Sequence, residues 1–260
     1  MSKSTPPYVE GHSLLDGKTV LVTAAAGTGI GFAAARRCVE EGASVMISDT
    51  HERRLGEAAD QLMKIDGQRP ASKRCDVTVE AEVQALIQAA ISELGRIDVL
   101  INNAGLGGTA NVIDMTDEQW HQVIDVTLTG TFRMTRAVLP HMLERRSGVI
   151  VNNASVLGWR AQAGQAHYAA AKAGVMALTR CSALEAAESG VRINAVSPSL
   201  ATHEFLSKVM PRDLLDELTR REAYGRGAEP WEVANVMVFL ASDYSSYMTG
   251  ECIAVSSQHP

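Results

Sequence analysis

Short apolar runs of strand length alternate with helix-length amphipathic stretches along nearly the whole of this 260-residue chain. A β-rich segment, Lys18 to Thr23, leads through a glycine-rich turn into a helical stretch that ends near Glu41. The next apolar run, Ser44 to Ser48, follows directly and ends at Asp49. Regular β-α-β alternation makes successive strands parallel and covers both faces of the sheet with helices. The pattern therefore predicts a doubly wound α/β fold.

The same cycle continues to the end of the chain. Further strands are predicted over Ala71–Cys75, Val99–Asn102, Gly148–Asn152, Val191–Val196 and Cys252–Val255. Helices are predicted over Glu52–Ile65, Glu80–Leu94, Asp117–Leu143, Gln165–Glu188 and Pro230–Leu240. No linker divides residues 14–260, which we interpret as a single domain behind a flexible arm, Met1 to Ser13. Leu200 to Ala228, with a partly helical stretch from Glu204 to Arg221, is interpreted as a substrate-loop insertion over the functional site.

Charge, cysteine content and hydropathy argue against several classes of function. The formal net charge is −6, so the chain lacks the basic character of a nucleic-acid-binding protein. No apolar run approaches the length of a membrane span, and the first residues are not expected to act as a signal peptide. The four cysteines are scattered and the seven histidines show no metal-ligand spacing, so we expect neither a disulfide framework nor a metal site. A reducing, cytoplasmic compartment fits this composition.

The turn behind the first strand carries three glycines, Gly27, Gly29 and Gly31. Glycines allow a tight turn and let the backbone approach a phosphate closely. The helix that begins near Ile30 offers unpaired N–H groups and the positive end of its dipole to a pyrophosphate. An ordinary tight turn is the alternative. The position directly after the first strand favours Gly27, Gly29, Ile30 and Gly31 as cofactor contacts.

Asp49 ends the second strand, 18 residues beyond Gly31. A carboxylate there can accept hydrogen bonds from an adenosine ribose, and its charge repels a 2′-phosphate. The sequence therefore predicts NAD(H) rather than NADP(H) as the cofactor. The alternative is that Asp49 caps the next helix; Arg53 and Arg54 lie close enough in sequence to moderate the repulsion, or form a solvated helix face.

Two further segments follow the third and fourth strands, namely Asp76-Val77 and Asn102-Asn103-Ala104-Gly105. Open parallel sheets bind ligands at the carboxyl ends of their strands. Asp76 and Val77 are candidates for contact with the adenine, and Asn103, Ala104 and Gly105 are candidates for bordering the cofactor. For either segment alone, a simple turn explains the residues equally well.

Tyr168 and Lys172 lie four residues apart in a predicted helix and so share one face. An ammonium group near a phenol favours the phenolate, so the tyrosine pKa is expected to fall toward neutral pH. Tyr168 is then a credible general acid and base. The pair alone also suits a surface helix, but it begins 13 residues after Ser155, whose hydroxyl ends the fifth strand and is placed to bond a substrate carbonyl oxygen.

Taken together, these segments resemble the short-chain dehydrogenase/reductase family over roughly Leu14 to Val255. The matching segments, in family order, are the glycine turn, Asp76, Asn102–Gly105, Ser155, Tyr168, Lys172, Asn194–Pro198, Gly225-Arg226, Pro230–Ala234, Phe239–Asp243 and Tyr247–Gly250. The resemblance implies a Rossmann-like fold with a seven-stranded parallel sheet and an NAD(P)-dependent oxidoreductase. It makes Tyr168 the acid and base, Ser155 the carbonyl polariser, Lys172 a ligand of the nicotinamide ribose and Pro198 a cofactor contact. It also implies a homotetramer built through two long central helices, or a homodimer.

The chain departs from the family pattern at four places. Thr127 stands where the family has a catalytic asparagine, and so becomes the candidate for that position in a proton relay. The glycine turn is one residue longer, with alanine in place of its first glycine. Ser199 follows Pro198 instead of glycine, and His203 stands where a threonine often holds the nicotinamide carboxamide. The last strand ends in Val255-Ser-Ser-Gln rather than in aspartate and two glycines.

The leading hypothesis is hydride transfer between a nicotinamide and a secondary alcohol or ketone. One alternative is a degenerate member of the fold that binds nucleotide without catalysis; another is a 3-oxoacyl-thioester reductase using NADPH. The run from Asn153 to Arg160 and the Val-Ser-Ser-Gln ending resemble actinobacterial reductases of sterol-ring breakdown, which act on indane-type propanoyl-CoA intermediates. A CoA thioester is therefore the candidate substrate. Basic residues of the insertion fit its phosphates or, being nearly balanced by acids, form a solvated helix: Lys208, Arg212, Arg220, Arg221 and Arg226.

Overall fold

The computed structural model describes residues 5–203 and 212–258 of the chain. Seven parallel strands form one sheet in the order β3-β2-β1-β4-β5-β6-β7. The strands are β1 Thr19–Val22, β2 Ser44–Asp49, β3 Ala71–Arg74, β4 Val99–Asn102, β5 Gly148–Asn153, β6 Val191–Pro198 and β7 Cys252–Val255. The helices are α1 Ile30–Glu40, α2 Glu52–Asp66, α3 Glu80–Leu94, α4 Asp117–Ile124, α5 Gly130–Arg145, α6 Ala166–Ala187, α7 Arg212–Arg221 and α8 Pro230–Ala241. The predicted doubly wound fold with seven strands is confirmed.

The central strands are buried on both faces, as parallel strands between two helical layers must be. Neighbouring residues of β1 show this directly, since Val20 packs in the cluster with α1 and α8 while Leu21 packs in the cluster with α3 and α5. The chain moves outward from β1 to β3 and then returns to β4 on the other side of β1. This reversal opens a crevice at the carboxyl ends of β1 and β4, the place where such sheets bind ligands.

The long helix predicted over Asp117–Leu143 is interrupted. It begins at the predicted cap, where the Thr116 hydroxyl accepts from the N–H of Gln119 and the Gln119 side chain accepts from the N–H of Thr116. A π-helical turn over Asp125–Thr129 then separates α4 from α5. At the start of α5 the Thr131 hydroxyl donates back to the carbonyl of Thr127, in that turn, at 2.8 Å. The prediction of one continuous helix was wrong because hydrophobic periodicity does not register one extra residue in a turn.

The described part of the N-terminal segment, Thr5 to Ser13, has no helix or strand but makes definite contacts. The Arg37 guanidinium donates to the carbonyls of Val9 and Glu10. The Tyr8 ring meets the Trp231 ring edge-on, with centroids 5.2 Å apart. These contacts attach the segment to α1 and α8, which nothing in its composition indicates.

The two ends of the insertion meet beside the sheet. The N–H of Ala228 donates to the carbonyl of Leu200 at 2.8 Å, and the N–H of Thr202 donates to the carbonyl of Ala228 at 2.9 Å. Within the insertion, the predicted helical stretch is observed as α7, and residues 204–211, including Lys208, lie outside the described residues. No helix in the described ranges is long and apolar enough to cross a membrane.

Candidate active site

The polar residues singled out from the sequence gather at one edge of the sheet. Strand register places Val22 beside Ile101, and Asn102 beside Asn152. The residues that follow these positions, from the glycine turn to Ser155, therefore emerge side by side. Helix α6 crosses behind them and brings Tyr168 and Lys172 to the same edge.

Ser155, Tyr168 and Lys172 form a compact group. The Ser155 hydroxyl faces the phenol of Tyr168 and accepts from the N–H of Leu157 at 3.2 Å. The ammonium of Lys172 lies 5.6 Å from the centre of the Tyr168 ring and donates to the carbonyl of Asn153 at 2.5 Å. Ser155 and Lys172 are 8% and 3% exposed, so water contributes little to their solvation.

The electrostatics of this group correct one expectation. Burial raises the pKa of Tyr168, and the Ser155 hydroxyl facing the phenol opposes that rise. Burial lowers the pKa of Lys172 to about 8. Both shifts favour the neutral form of each group. The predicted fall of the tyrosine pKa was wrong, because sequence spacing shows that a lysine is near but not how deeply both groups are buried.

Thr127 fastens the loop behind β4 to the π-helical turn. Its fully buried hydroxyl accepts from the N–H of Leu106 at 2.9 Å and donates to the carbonyl of the same residue at 3.1 Å. A side chain at Gly105 would sit 3.4 Å from the Lys172 ammonium and 3.8 Å from the Thr127 hydroxyl. Thr127 therefore acts on the backbone next to Lys172, and no hydrogen bond between the two side chains is found among the described residues.

The glycine turn is shaped to receive an anion. Gly29 caps α1 without any side-chain hydrogen bond to the first turn, so the helix presents its N–H groups outward. Gly27 has a φ of +128°, which favours glycine. A side chain at Gly31 would clash with the carbonyl of Ala24 and the amide of Asn103. The open helix end and the close backbone approach fit the pyrophosphate of a dinucleotide.

Asp49 joins β2 to that turn. One carboxylate oxygen accepts from the N–H of Ala26 at 3.2 Å and the other from the N–H of His51 at 3.0 Å. His51, not Asp49, is the cap of α2, so the capping alternative was wrong. Burial raises the pKa of Asp49, against the lowering effect of the Ala26 hydrogen bond and of Arg54.

Asp76 behaves as the turn alternative expects. Its carboxylate accepts from the N–H of Thr78 at 2.9 Å and from the Thr78 hydroxyl at 2.7 Å. The neighbouring Val77 is buried, and a side chain at Gly130 would clash with it. These contacts account for both residues without a ligand.

A chain of amides links the glycine turn to the buried lysine. The Asn103 amide donates to the carbonyl of Ala24 at 3.0 Å, and the Asn153 amide donates to the Asn103 oxygen at 2.9 Å. The Asn153 carbonyl then receives the Lys172 ammonium. Asn103 and Ala104 are also held by their N–H groups to the Thr23 hydroxyl. Sequence reasoning missed Asn153, although its place two residues before Ser155 is a usable signal.

Two polar residues around this edge, Gln165 and His167, also escaped assignment from the sequence. Buried His167 places its Nε2 where a side chain at Gly108 would be 3.1 Å away, and Gln165 donates to the Gly108 carbonyl at 2.7 Å. The His203 ring lies 3.8 Å from where a side chain at Gly29 would be, and burial lowers its pKa. The family's threonine at that position is thus replaced by an imidazole beside the phosphate turn.

A groove with a volume of about 360 Å³ lies between α7 and the segment that leads into α6. Helix α7 contributes Leu214, Glu217, Leu218 and Arg221 to one wall. The segment after Ser155 contributes Ala161, Gln162 and Ala163, and the loop behind β4 contributes Thr109. Leu218 is buried and Leu214 half-buried, whereas the two alanines, Glu217 and Arg221 are exposed, so the groove combines apolar and charged side chains. Within residues 5–203 and 212–258, no three His, Cys, Asp or Glu side chains are grouped to hold a metal ion.

The chain matches a family model described as "Enoyl-(Acyl carrier protein) reductase" over residues 24–257. Its structure superposes with a TM-score of 0.88 on the crystal structure of a short chain dehydrogenase from Mycobacterium smegmatis, 58% identical and covering 99% of both chains. The chain belongs to the short-chain dehydrogenase/reductase family. As a short-chain dehydrogenase/reductase it is an oxidoreductase that uses a nicotinamide cofactor.

Named relatives within this family include reductases of acyl thioesters. A Mycobacterium tuberculosis protein is 64% identical over 256 residues, 98% of each chain, and is named (5R,7aS)-5-hydroxy-7a-methyl-1-oxo-2,3,5,6,7,7a-hexahydro-1H-indene-carboxyl-CoA reductase. A 3-oxoacyl-(acyl-carrier-protein) reductase of Thermotoga maritima is 38% identical over 93% of this chain and 97% of its own. The first of these names agrees with the resemblance to indane-type CoA reductases predicted from the sequence.

Proposed function

We propose that this short-chain dehydrogenase/reductase interconverts a ketone and a secondary alcohol on a ring carried by a CoA thioester, with NAD(H) as cofactor. The observation that carries the proposal is the convergence of Ser155, Tyr168 and Lys172, which the amides of Asn103 and Asn153 link to an open phosphate turn. When bound, the nicotinamide supplies or accepts a hydride.

Tyr168 moves the proton. Its raised pKa keeps the phenol protonated at neutral pH, so in reduction it is ready to donate to the carbonyl oxygen of the substrate. The Ser155 hydroxyl, which faces the phenol, stabilises the same oxygen as charge develops on it. In oxidation the phenol must first lose its proton, which a positive charge on Lys172 favours.

Lys172 is oriented by the protein before any ligand arrives. Its hydrogen bond to the Asn153 carbonyl holds the ammonium next to Gly105. From there it has donors left for a nicotinamide ribose hydroxyl. Thr127 contributes by holding the Leu106 backbone. Pro198 ends β6 and is our further candidate for a cofactor contact at the carboxyl ends of the strands.

The choice of NAD(H) over NADP(H) rests on Asp49. Its carboxylate is bonded to the N–H of Ala26, inside the glycine turn, where the adenosine ribose is expected. A 2′-phosphate placed there would meet a second negative charge. Arg54 lowers the pKa of Asp49 through its charge, yet no hydrogen bond or salt bridge joins the two among the described residues.

The substrate class follows from the relative that shares 64% of its sequence with this chain. Leu214 and Leu218 in the groove suit a fused ring or the arm of a thioester, and the exposed Arg221 suits a phosphate. Arg221 also pairs with Glu217, so part of its charge is already balanced. The free state of all four cysteines supports a reducing, cytoplasmic compartment.

We also propose a homotetramer or homodimer. The exposed apolar side chains include Trp120 on α4, Phe132 on α5 and Leu184 on α6, with exposed fractions of 38%, 39% and 79%. Large exposed apolar side chains on neighbouring helices are typical of subunit interfaces. Light scattering of the purified protein measures the assembly directly.

Purified protein with NADH or NADPH and an indane-type oxo-carboxyl-CoA tests the activity. We expect turnover with NADH, and a loss of about 10²-fold or more in Tyr168→Phe, because that variant keeps the ring but has no proton to donate. NADH binding, followed by fluorescence, should remain near that of the parent. Binding without turnover on any ketone would favour the degenerate alternative, and a preference for NADPH with 3-oxoacyl thioesters would favour the other.

A further inference from the structure

The last described residues of the chain return to the end of α7. Glu222, directly after α7, is only 3% exposed. Its carboxylate accepts from the Ser257 hydroxyl at 2.8 Å, from the Gln258 amide at 2.9 Å and from the N–H of Leu200 at 3.2 Å. The N–H of Ala223 also donates to the carbonyl of Ser257 at 3.0 Å. The tail behind β7 is therefore joined to α7 by both side chains and backbone.

Gln258 extends these contacts to the other wall of the groove. Its amide oxygen accepts from the Arg160 guanidinium at 2.6 Å, while its amide nitrogen donates to Glu222. A cation on one side and an anion on the other allow only this orientation of the amide. Each charge also strengthens the bond that the amide makes with the other. We call Arg160, Glu222, Ser257 and Gln258 the tail network.

Glu222 depends on this network for its solvation. Among the residues that the structure describes, no arginine or lysine forms a salt bridge with it. A buried carboxylate is costly unless donors replace its lost water. Of the three groups that donate to its carboxylate, the Ser257 hydroxyl and the Gln258 amide belong to the tail. Without them, the end of α7 would move outward until water reached the carboxylate.

The tail network includes a residue directly adjoining each of the two groove walls. Arg221, the last residue of α7 and a groove residue, is next to Glu222, and Ala161, on the opposite wall, is next to Arg160. We propose that Gln258 is a positioning residue for substrate specificity, which sets the separation of the two walls through Glu222 and Arg160. This inference rests on the proposed function, because it assigns the groove to the CoA thioester.

The test is Gln258→Glu, which puts a second carboxylate beside Glu222. We expect faster hydrogen exchange of the amides of residues 212–221, and a KM for the CoA thioester raised about tenfold, with the dissociation constant of NADH unchanged. The double variant Glu222→Gln with Gln258→Glu should restore both values, because the carboxylate at 258 then pairs with Arg160 and accepts from the amide at 222. Asp216→Asn, on the exposed side of α7, is the control and should match the parent.

Hydrogen exchange needs no substrate, so it separates the two proposals. A parent protein that does not turn over the thioester counts against the proposed function. Parent-like exchange and KM in Gln258→Glu would overturn the role of Gln258. So would a double variant as impaired as the single one, since the reversed pairing would then confer nothing.

Discussion

Removing the hydroxyl of Thr127 without changing its shape separates its structural from its chemical contribution. Thr127→Val keeps the branched side chain and deletes both hydrogen bonds to Leu106. A backbone group left without a partner costs about 1–3 kcal/mol when buried. Leu106 is only partly buried, so we expect a loss of about 1–3 kcal/mol for the two groups together. In a domain of this size that lowers Tm by roughly 2–12 °C.

The assay is thermal unfolding of the cofactor-free protein, followed by circular dichroism, with turnover measured on the same samples. Turnover should fall more than NADH binding, because the loosened backbone lies at Gly105 beside Lys172. Thr127→Asn keeps a donor and an acceptor and should be tolerated. Thr129→Val is the matched control, since Thr129 belongs to the same π-helical turn and its hydroxyl has no hydrogen bond among the described residues. A Thr127→Val protein with parent Tm and parent kcat would refute this account.

Three further changes test the site. Burial lowers the pKa of Lys172 from 10.5 to about 8, so the unfolded chain binds more protons between these values and stability rises with pH there. The free energy of unfolding of Lys172→Met should therefore exceed that of the parent by up to about 3 kcal/mol below pH 8, and this difference should shrink toward pH 10.5. The same difference between variant and parent at pH 7 and at pH 10, measured by denaturation, would contradict this. Asp49→Ser should weaken NADH binding and improve kcat/KM with NADPH relative to NADH, whereas a parent that already prefers NADPH would exclude the role given to Asp49. Reversing the charges of Arg220 and Arg221 should raise KM for the CoA ester several-fold and leave the matching free acid unaffected; an equal effect on both would argue against a phosphate contact.

The fold was predictable because its signals are local. Alternating apolar runs define the strands, and the capping box at Thr116 and Gln119 starts α4 where predicted. The ends of the strands also carry Ser155 and the glycine turn, so the topology alone brings them together. The π-helical turn was not predictable, because it differs from an α-helix by one residue and leaves the apolar pattern almost unchanged.

The hydrogen bonds that join the motifs to one another could not be predicted from the sequence. Arg160 and Gln258 are 98 residues apart, and nothing near either residue indicates the bond between them. Asn153 resembles any strand residue until the structure shows its carbonyl on Lys172. The direction of the Tyr168 pKa failed for the same reason, since burial is set by all the elements that surround a group rather than by its neighbours in sequence.

The π-helical turn also changes the helical phase between α4 and α5. Trp120 and Phe132 are twelve residues apart, and in an unbroken α-helix they would point about 120° away from each other. A π turn advances more slowly, by about 80° per residue over its five residues, and removes most of that angle. By this phase, Trp120 and Phe132 fall within about 20° of each other around the helix axis. Rewinding Asp125–Thr129 as regular α-helix at the same length would swing Phe132 about a quarter turn away from Trp120, so the turn sets the alignment of that surface as well as the place of Thr127.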